Sequence, residues 1–473
     1  MTEIRPGIDS KRRSSAAGAV RRCLLAAAAV VAGAAPLVAG AVSVIPGAMS
    51  HGITTTAGRG GTVHRVTNLS ASGAGSLKAC VDGSGPRVCV FEVSGTIRLT
   101  DDLTLRNPNI TIAGQTAPSP GIMLRGAGVL VKTSNVLIQH IHVRPGDDAG
   151  GEAPINRDGL KISGPPDETP ISNIVIDHCS FSWSTDEIAS AWQNWNNISL
   201  INNIFAEPLH DSIHPEGRHG FGVLIGPNNG SATVAGNLLA SMQSRNPMTA
   251  ASRTVIVNNV VYNWGNTAVD LQSHGLVTQN SVVGNVFLRG PDTAGSAAPI
   301  GLRADSTTLR SGARVFVADN HGAESTSDPW SLAGAIYGSL TLANFRSASP
   351  QAWPAGMTTL PTADSVVRNH VLKYAGARPA DRDSVDTRVV EGVRNGTGRI
   401  INCVAPNGSA RCSRNGGGWP AMAENRRALT LPANPNTVTE SGYTNLELWL
   451  HDMSADVEGR SRRAPESPVL SQR

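Results

Sequence analysis

Five stretches of this sequence share one shape, in which an apolar run is broken by two small or polar residues and then resumes. They are NVLIQHIHV (135–143), NIVIDHCSF (173–181), NISLINNIF (197–205), ATVAGNLLA (232–240) and TVIVNNVVY (254–262). Aligned on the break, one column reads Gln139, Asp177, Asn202, Gly236 and Asn258. The next column reads His140, His178, Asn203, Asn237 and Asn259, with Asn285 as a further candidate.

Repeats about 22 to 38 residues apart are typical of the coils of a solenoid that carries longer loops in some coils. A coil of this length holds about three short strands with their turns. Asparagines stacked at one corner would satisfy each other and the main chain where it bends. With 50 glycines and only 4% aromatic residues, the sequence therefore predicts an all-β parallel β-helix.

The repeat sets the predicted domain boundaries. The β-helix is expected to span residues 51–345, and GSLKACV (75–81), with a serine N-cap, is expected to be a helix that covers the first coil. Residues 346–457 are expected to form an irregular C-terminal cap or wrap, with one helix in GYTNLELWLHDM (442–453). Residues 458–473 are predicted to be a disordered tail.

Residues 1–41 are typical of an export signal. Basic residues precede the Ala-rich apolar stretch CLLAAAAVVAGAAPLVAGA, and Ala39-Gly40-Ala41 is a cleavage candidate. The general and the twin-arginine routes both stay open, and an N-terminal membrane anchor is the alternative. The mature protein is expected outside the cell, free of the membrane.

The cysteines agree with an exported protein. Cys80 and Cys89 flank one turn-rich loop, and Cys403 and Cys412 flank another, so two local disulfides are predicted. Cys179 is expected to be a small buried apolar residue. The net charge of +4 suits a polyanionic partner without requiring one.

Three carboxylates occupy related places on two coils. Asp158 lies one strand before the repeat at Asn173, and Asp186 and Glu187 lie one strand before the repeat at Asn197. Equivalent positions on adjacent coils stack about 4.8 Å apart. Converging carboxylates repel each other unless a hard cation such as Ca²⁺ accepts their oxygens, and the carbonyl oxygen of Asn156 is a further candidate ligand. Pairing of one acid with Arg157, or a solvated surface, is the alternative.

Basic residues follow on the same side of the solenoid. Arg245 comes directly after the strand of the Asn237 repeat, and Arg218 and His219 lie on the intervening coil. Basic groups beside a cation-binding acid cluster suggest a groove for an acidic sugar.

The ordered set of motifs resembles the secreted pectate lyases. It comprises GTVHRVTNLSASGAGSLKACV, VFEVSGTIRL, NITIAGQTAPSPGI, NIVIDHCSFSWSTDE, GVLIG, SRNP and VIVNNVVYNWG, over residues 59–265. The resemblance implies a right-handed parallel β-helix that binds Ca²⁺ and cleaves polygalacturonate by β-elimination. It assigns Asp158 and Asp186 to the metal, and with Glu187, the immediate neighbour of Asp186, they are the expected metal ligands. It assigns Arg245, in an Arg-x-Pro motif, to proton abstraction.

The chain departs from the family pattern at three places. Asn156 stands where a second Asp is frequent, and no Lys precedes the GVLIG stretch, where only Arg218 and His219 are near. Met248 stands where a second Arg is frequent, and Arg253 lies further on. Arg218, His219 and Arg253 are therefore the predicted substrate-binding residues, with His219 as an alternative base.

Two other functions stay open on the sequence. A glycoside hydrolase acting on the same polymer would use carboxylates such as Asp177, Asp186 and Glu187, but it would leave the Arg-x-Pro element unexplained. A non-catalytic polysaccharide-binding or adhesin solenoid would also suit the repeats and the export signal. The expected partner is an acidic polysaccharide and not a nucleic acid, and the chain is expected to be a monomer.

Overall fold

The structure, a computed structural model, describes residues 42–295, 298–361 and 364–461. The predicted export signal and residues 462–473 of the predicted tail lie outside the described residues. Within the described chain, successive strands return to the same three parallel sheets, once per coil. The predicted fold class, an all-β right-handed parallel β-helix, is confirmed.

The first sheet has ten strands, and in the repeats the corner asparagines come directly after these strands. In spatial order they are Thr62–Val66, Arg87–Phe91, Ile110–Ala113, Val136–Gln139, Ile171–Asp177, Trp195–Ile201, Ser231–Ala235, Arg253–Val257, Gln279–Val283 and Arg314–Ala318.

The second sheet has eight short strands that follow the corner after the first sheet. In chain order they are Gly95–Arg98, Ile122–Arg125, Ile141–Arg144, Ser180–Ser182, Ile204–Ala206, Leu238–Ala240, Val260–Tyr262 and Val286–Leu288.

The third sheet has nine strands. In chain order they are Leu103–Leu105, Val129–Val131, Leu160–Ile162, Glu187–Ala191, Phe221–Ile225, Met248–Thr249, Val269–Leu271, Ile300–Arg303 and Ala333–Ile336.

The core runs along the axis of the solenoid and is built from side chains that point inward from all three sheets. Ile174, Phe181 and Ala189, from one coil, all belong to the main buried cluster. Equivalent residues stack on the next coil, as in Phe181 and Phe205, whose ring centroids lie 5.2 Å apart. The alternation of inward and outward residues leaves polar side chains such as Lys161 and Ser190 on the outer face of the third sheet.

An asparagine ladder closes the corner between the first and second sheets. Each asparagine Oδ1 accepts both the main-chain N–H and the side-chain Nδ2–H of the asparagine one coil earlier, as Asn237 does for Asn203. The ladder comprises Asn203, Asn237, Asn259, Asn285 and Asn320. The first four asparagines are buried, so the ladder provides hydrogen-bond partners for polar groups that water does not reach at the bend.

The two predicted columns are out of register by one residue in the first two repeats. Asp177 pairs with Ile201, so His178 lies opposite Asn202, and Cys179 lies where the later coils have ladder asparagines. The Cys179 main-chain N–H donates to Asn203 Oδ1 at 2.8 Å. The column that His140 and His178 share is the left-handed one, with φ of 57° and 46°. Histidine is among the residues that tolerate this conformation, which explains its place there.

The first coil is covered by the predicted helix α1 (Leu77–Val81), whose N-cap Ser76 accepts from Ala79 N. Leu77, Cys80 and Val81 enter the main core. Both predicted disulfides are present, Cys80–Cys89 and Cys403–Cys412, and Cys179 is a buried free cysteine, as predicted.

The C-terminal region is more regular than predicted and runs along the side of the solenoid. It contains helices α2 (Asp364–Tyr374), α3 (Ser384–Arg394) and α4 (Asn445–Glu458). Helix α4 starts with a capping box at Thr444 inside the predicted helical stretch 442–453 and extends beyond its end. Four short 3₁₀ helices complete the described elements, at Gly114–Thr116, Pro154–Asn156, Leu342–Asn344 and Ala410–Ser413. Glu458, where the disordered tail was predicted to begin, is buried at the end of α4, so the cap extends further than predicted.

Two of the three sheets are covered on the outside by apolar packing. Helices α2 and α3 pack on the second sheet. Helix α4 packs on the first sheet. The N-terminal segment around Val44 and Ile53 packs further along the same sheet. The outward residues of the third sheet, such as Lys161, Ser190, Leu224, Met248 and Asp270, belong to none of the apolar clusters of the described chain. Among the described residues, no helix is both long and apolar enough to cross a bilayer.

Candidate functional site

The three predicted metal ligands meet at the start of two neighbouring strands of the third sheet. Leu160 pairs with Ala189, which sets Asp158 opposite Glu187 on adjacent coils, as the repeat predicted. One carboxylate oxygen of each of Asp158, Asp186 and Glu187 lies within 4.8 Å of the others. The chain thus brings three acids together that are 28 and 29 residues apart in sequence.

The acid cluster is electrostatically unfavourable as it stands. Asp158 is buried, and its Oδ2 accepts from Ser190 Oγ at 2.7 Å. Burial, together with the charge of Asp186, raises the pKa of Asp158 to about 8. Burial also raises the pKa of Asp186, although His219, His214 and Arg245 oppose that rise. Such a set of oxygens favours either protons or a metal cation.

The residues around Asn156 do not neutralise the cluster. Arg157, the candidate partner of one acid, is buried and donates to the main-chain oxygens of Gly146, Asp148 and Glu152. The Lys161 ammonium lies 2.5 Å from Asp102 Oδ2 and donates to the carbonyl oxygen of Asn156. The Asn156 carbonyl therefore already has a cationic partner.

Arg245 completes the site from two coils further along. Its Nη1 forms an ion pair with Glu187 Oε1, and its guanidinium carbon lies 4.1 Å from the centroid of the Phe221 ring. Burial lowers the pKa of Arg245, while Asp186, Asp270 and Asp158 act in the opposite direction. A close partner for Glu187 was not predicted, because the sequence does not show that the Arg245 side chain reaches back across the Phe221 coil.

The main chain at Arg245 is held in an uncommon shape. Its φ is 66°, which is the left-handed region and rare for a long side chain. The Arg245 carbonyl accepts from Val223 N at 2.6 Å, and the neighbouring Ser244 carbonyl accepts from Gly222 N at 2.9 Å. A β-carbon at Gly222 would lie 2.3 Å from the Arg245 carbonyl oxygen, so this close approach requires glycine.

A histidine pair lies on the side of Asp186. His219 Nε2 is 3.6 Å from Asp186 Oδ1, and its ring centroid lies 3.5 Å from that of His214. The predicted residue His219 is thus at the site, and His214 is a member that the sequence did not indicate. One ligand atom of each of Asp186, His214 and His219 lies within 4.8 Å of the others. His214 lies in a non-repeating loop between two strands, where no periodicity reports its position.

The two other predicted substrate-binding residues lie further out. Arg218 is 72% exposed and its Nε is 3.4 Å from Asp211 Oδ2, on the loop that carries His214. Arg253 starts a strand of the first sheet, and its guanidinium donates to Ser231 Oγ and to the Asn229 carbonyl oxygen. The structure therefore brings Arg245 and His219 to the acid cluster, but it places Arg253 beyond the far end of the third-sheet strands.

A second ion-paired group continues along the third sheet. Asp270 pairs with Met248 across the coils, and its Oδ2 lies 2.5 Å from Arg303 Nη2. The Arg303 guanidinium also lies 4.3 Å from the centroid of the exposed Tyr337 ring. The register of the sheet could have indicated Asp270, since it follows Met248 by one coil.

Asp177, which the hydrolase alternative would need, is elsewhere. It lies buried at the asparagine corner, where its carboxylate accepts from His178, Asn202 and Gln139. It ends a strand of the first sheet, whereas Asp186 and Glu187 begin a strand of the third. The three acids named for a hydrolase therefore do not form one site.

Comparisons with known proteins give one consistent group of relatives. The chain is 30% identical over 419 residues to the probable pectate lyase C of Aspergillus flavus, a match that covers 85% of this chain and 92% of the relative. It is 31% identical over 425 residues to the probable pectate lyase C of Aspergillus fumigatus, covering 85% and 91%. No family model matches the chain.

Solved structures of similar shape have lower identity. A pectate lyase bound to a hexasaccharide is 16% identical with a TM-score of 0.46, covering 72% of this chain and 99% of that one. The cedar pollen allergen Jun a 1 is also 16% identical with a TM-score of 0.46, covering 75% and 93%.

Proposed function

The chain belongs to the pectate lyase family, and we propose that it cleaves polygalacturonate by calcium-assisted β-elimination, leaving an unsaturated uronide end. The single observation that carries the proposal is the meeting of Asp158, Asp186 and Glu187 with Arg245 on the outer face of the third sheet. Acids that could hold a cation and a half-buried guanidinium are the two parts that this chemistry needs.

The acid cluster fits Ca²⁺. Calcium takes six to eight oxygen ligands and favours carboxylates, and Asp158, Asp186 and Glu187 would hold it through theirs. The raised pKa of Asp158 supports this fit, because burial and the neighbouring Asp186 charge leave negative charge that a cation would relieve. When bound, calcium would supply positive charge to the substrate carboxylate and make the neighbouring C5 proton more acidic.

Arg245 is the proposed base. An arginine free in water keeps its proton at ordinary pH, but burial lowers the pKa of Arg245. Phe221 and the bonded main chain fix the position of its guanidinium. In the step itself Arg245 has first released one proton to solvent, the C5–H bond breaks, and the proton passes to the neutral guanidine of Arg245. The electron pair forms the C4=C5 double bond, and the C4–O bond breaks. The departing oxygen takes a proton from solvent.

His219 and Arg218 are proposed to contact the substrate beside the cluster. His219 is held within 3.6 Å of Asp186, and the Arg218 side chain is 72% exposed on the same loop. Arg253 is proposed as a more distant contact for a longer chain, since its partners lie at the far corner of the coil.

Export and a monomeric state complete the proposal. Two disulfides support folding in an oxidising compartment, and the proposed export signal at 1–41 would bring the protein there by the general or the twin-arginine route. A monomer is proposed because helix α1 covers the first coil and the C-terminal region covers two sheets.

The test is to incubate the mature protein with polygalacturonate, with added calcium and with a chelator, and to follow ultraviolet absorbance of unsaturated ends. A calcium-dependent rise that Arg245→Ala abolishes supports the proposal. New reducing ends without the absorbance would mean hydrolysis. If neither absorbance nor new reducing ends appear with any uronate polymer, the non-catalytic polysaccharide-binding solenoid is the remaining function.

A further inference from the structure

An exposed tryptophan lies at the outer face of the third sheet, on the strand that begins at the acid cluster. Trp192 directly follows the strand Glu187–Ala191 and is 47% exposed. Its main-chain nitrogen donates to the Ile162 carbonyl of the preceding coil at 3.1 Å, so it continues the ladder of that strand. Ser190, two residues earlier on the same face, is the residue that donates to Asp158. At about 3.3 Å per residue, Trp192 stands about 7 Å along the strand from Ser190.

The next coil makes room for the indole. Ala191 pairs with Ile225, so Gly226 is the neighbour of Trp192. A β-carbon at Gly226 would lie 2.7 Å from Trp192 Cε3, which shows that the indole lies over this glycine. An indole held in this way presents an apolar ring face and an N–H group in a fixed position. The C–H face of a pyranose ring stacks on such a surface, while its hydroxyls bond to polar groups around it.

An open cleft of about 360 Å³ begins at Gln193, the residue after Trp192, and the indole itself is not part of its lining. Gln193 and Asn194, which follow Trp192, line it together with Asn228 and Asn229, which follow Gly226. Its lining also includes Pro227 and His274 but no Asp, Glu, Lys or Arg. Amides suit hydroxyl groups, and the absence of a cation among the lining residues disfavours a carboxylate.

We infer that Trp192 and this cleft form a binding platform for uncharged pyranose units of the pectic polymer, adjoining the acid cluster on the same face. Two sources share that chemistry, namely methyl-esterified galacturonate of the main chain and neutral sugars of side chains. The inference rests on the proposed function only for the class of polymer. It assigns a second selectivity to the face, since the acid cluster and Arg245 suit ionised units whereas the platform suits uncharged ones.

The test measures binding by calorimetry in the Arg245→Ala chain with a chelator present, so that neither cleavage nor calcium contributes. The probes are a methyl-esterified oligogalacturonide, a β-1,4-galactan oligosaccharide and the ionised oligogalacturonide of equal length. We expect at least one uncharged probe to bind, and Trp192→Ala to raise its Kd about tenfold, as the loss of one aromatic stacking contact would. Which of the two uncharged probes binds identifies the source.

A second variant and a control keep the result interpretable. Gly226→Ala keeps the tryptophan but pushes the indole from its position, and it should also raise the Kd. Val438→Ala removes an apolar side chain that is 60% exposed elsewhere and should leave the Kd unchanged. The inference is overturned if neither uncharged probe binds, or if Trp192→Ala leaves every Kd unchanged. Because binding is measured without turnover, these results are separate from the absorbance assay that tests the lyase itself.

Discussion

Burial and the neighbouring carboxylates shift the pKa of Arg245 in opposite directions. Burial favours the neutral guanidine, and the nearby carboxylates favour the cation. Its contacts with Glu187 and with the Phe221 ring fix the guanidinium geometrically. A lysine would bring a more strongly hydrated point charge that neither spans the same two contacts nor lies flat on the ring.

We therefore expect Arg245→Lys and Arg245→Ala to lower kcat by about 10³-fold, the order that a positioned base contributes. The measurement is the initial rate of absorbance from unsaturated ends at saturating calcium. Arg310→Ala, on an exposed arginine that donates to Gly275, is the control and should leave kcat unchanged. An Arg245→Lys protein with most of its activity at neutral pH would refute the proposed role.

Asp158 tests the metal in two ways, through the calcium requirement of the rate and, without turnover, through thermal unfolding. Asp158→Asn removes one carboxylate from the cluster and with it part of the repulsion between Asp158 and Asp186. We expect the calcium concentration for half-maximal rate to rise about tenfold or more. In thermal unfolding, calcium should raise the Tm of the unsubstituted protein but raise that of the variant less.

The control for this experiment is Asp101→Asn, on an exposed acid in a loop. It should leave both the calcium requirement and the Tm difference as they are. Equal gains of Tm on adding calcium in the unsubstituted protein and in Asp158→Asn would count against Asp158 as a ligand.

The sequence predicted those site residues whose positions follow from the repeat of the coils. Asp158, Asp186 and Glu187 could be superposed because strands of adjacent coils stack in register, and Arg245 came from the resemblance and its place after a repeat strand. His214 was missed because it lies in an irregular loop. The ion pair between Arg245 and Glu187 was missed because side-chain reach across an intervening coil leaves no periodic signal.

The asparagine ladder determines how much unfolding free energy is lost when one of its asparagines is substituted. Asn237 accepts the main-chain N–H and the Nδ2–H of Asn203, and its own Nδ2 donates to Asn259 Oδ1 and to the Leu200 carbonyl. All of these groups are buried, so a substitution leaves several of them without partners. Each unsatisfied group costs about 1 to 3 kcal/mol.

Asn237→Ala is therefore expected to lower the free energy of unfolding by about 3 kcal/mol or more. Denaturant unfolding followed by circular dichroism measures the loss. Asn436→Ala is the matched control, since Asn436 is exposed and makes a single long bond of 3.4 Å to the Gly61 carbonyl. A loss below 1 kcal/mol would show that the corner does not depend on this rung.

The N-terminal segment is an element whose attachment should depend on pH. His51 Nδ1 lies 2.8 Å from Thr233 Oγ1 on the first sheet, and burial lowers the pKa of His51 to about 4. In the unfolded chain this pKa is about 6.5. Between these values the unfolded state binds more protons, so stability falls as the pH drops from about 6.5 to about 4.

We expect His51→Gln to remove part of this acid sensitivity, by about 2 to 3 kcal/mol between pH 7 and pH 4. The measurement is the free energy of unfolding of both proteins at several pH values, because the difference between the two isolates His51 from the other buried histidines. Parallel stability curves over this range would contradict the expectation.

Element boundaries were predicted well where the pattern repeats and less well elsewhere. The repeat strands followed from the period, helix α1 from its N-cap serine, and helix α4 from its amphipathic pattern. The one-residue error at His140 and His178 arose because a left-handed corner accepts histidine as well as asparagine, so residue type alone did not fix the register. Helices α2 and α3 were missed, since their helical patterns were not distinguished from the polar sequence of the wrap.

In the whole molecule, the candidate site lies on the one sheet whose outer face has no apolar packing of helices or of the N-terminal segment. The wrap and the N-terminal segment pack against the outer faces of two sheets, whereas the outward residues of the third sheet belong to none of the apolar clusters of the described chain. Val371, on α2, is fully buried against the second sheet, whereas Val366, on the same helix, is 38% exposed. This pair allows the contribution of the wrap to be tested apart from the site.

Val371→Asp buries an unpaired charge and is expected to cost about 3 kcal/mol or more in unfolding free energy, while the folded fraction keeps its kcat. Val366→Asp is the matched control and should change the unfolding free energy by less than about 0.5 kcal/mol. Thermal unfolding and rate per folded molecule are the two measurements. Similar effects of both variants would mean that α2 is not docked as described.

The ladder also makes the length of a turn independent of the pitch of the solenoid. Successive rungs are separated by 34, 22, 26 and 35 residues, yet each makes the same two bonds to the rung before it. Extra residues are therefore placed in the loops at the other two corners, as in the loop between Ala206 and Phe221. A segment from another chain could be inserted in such a loop without changing the hydrogen bonds of the asparagine ladder. The depth and selectivity of the groove can then change by insertion alone, with the scaffold left intact.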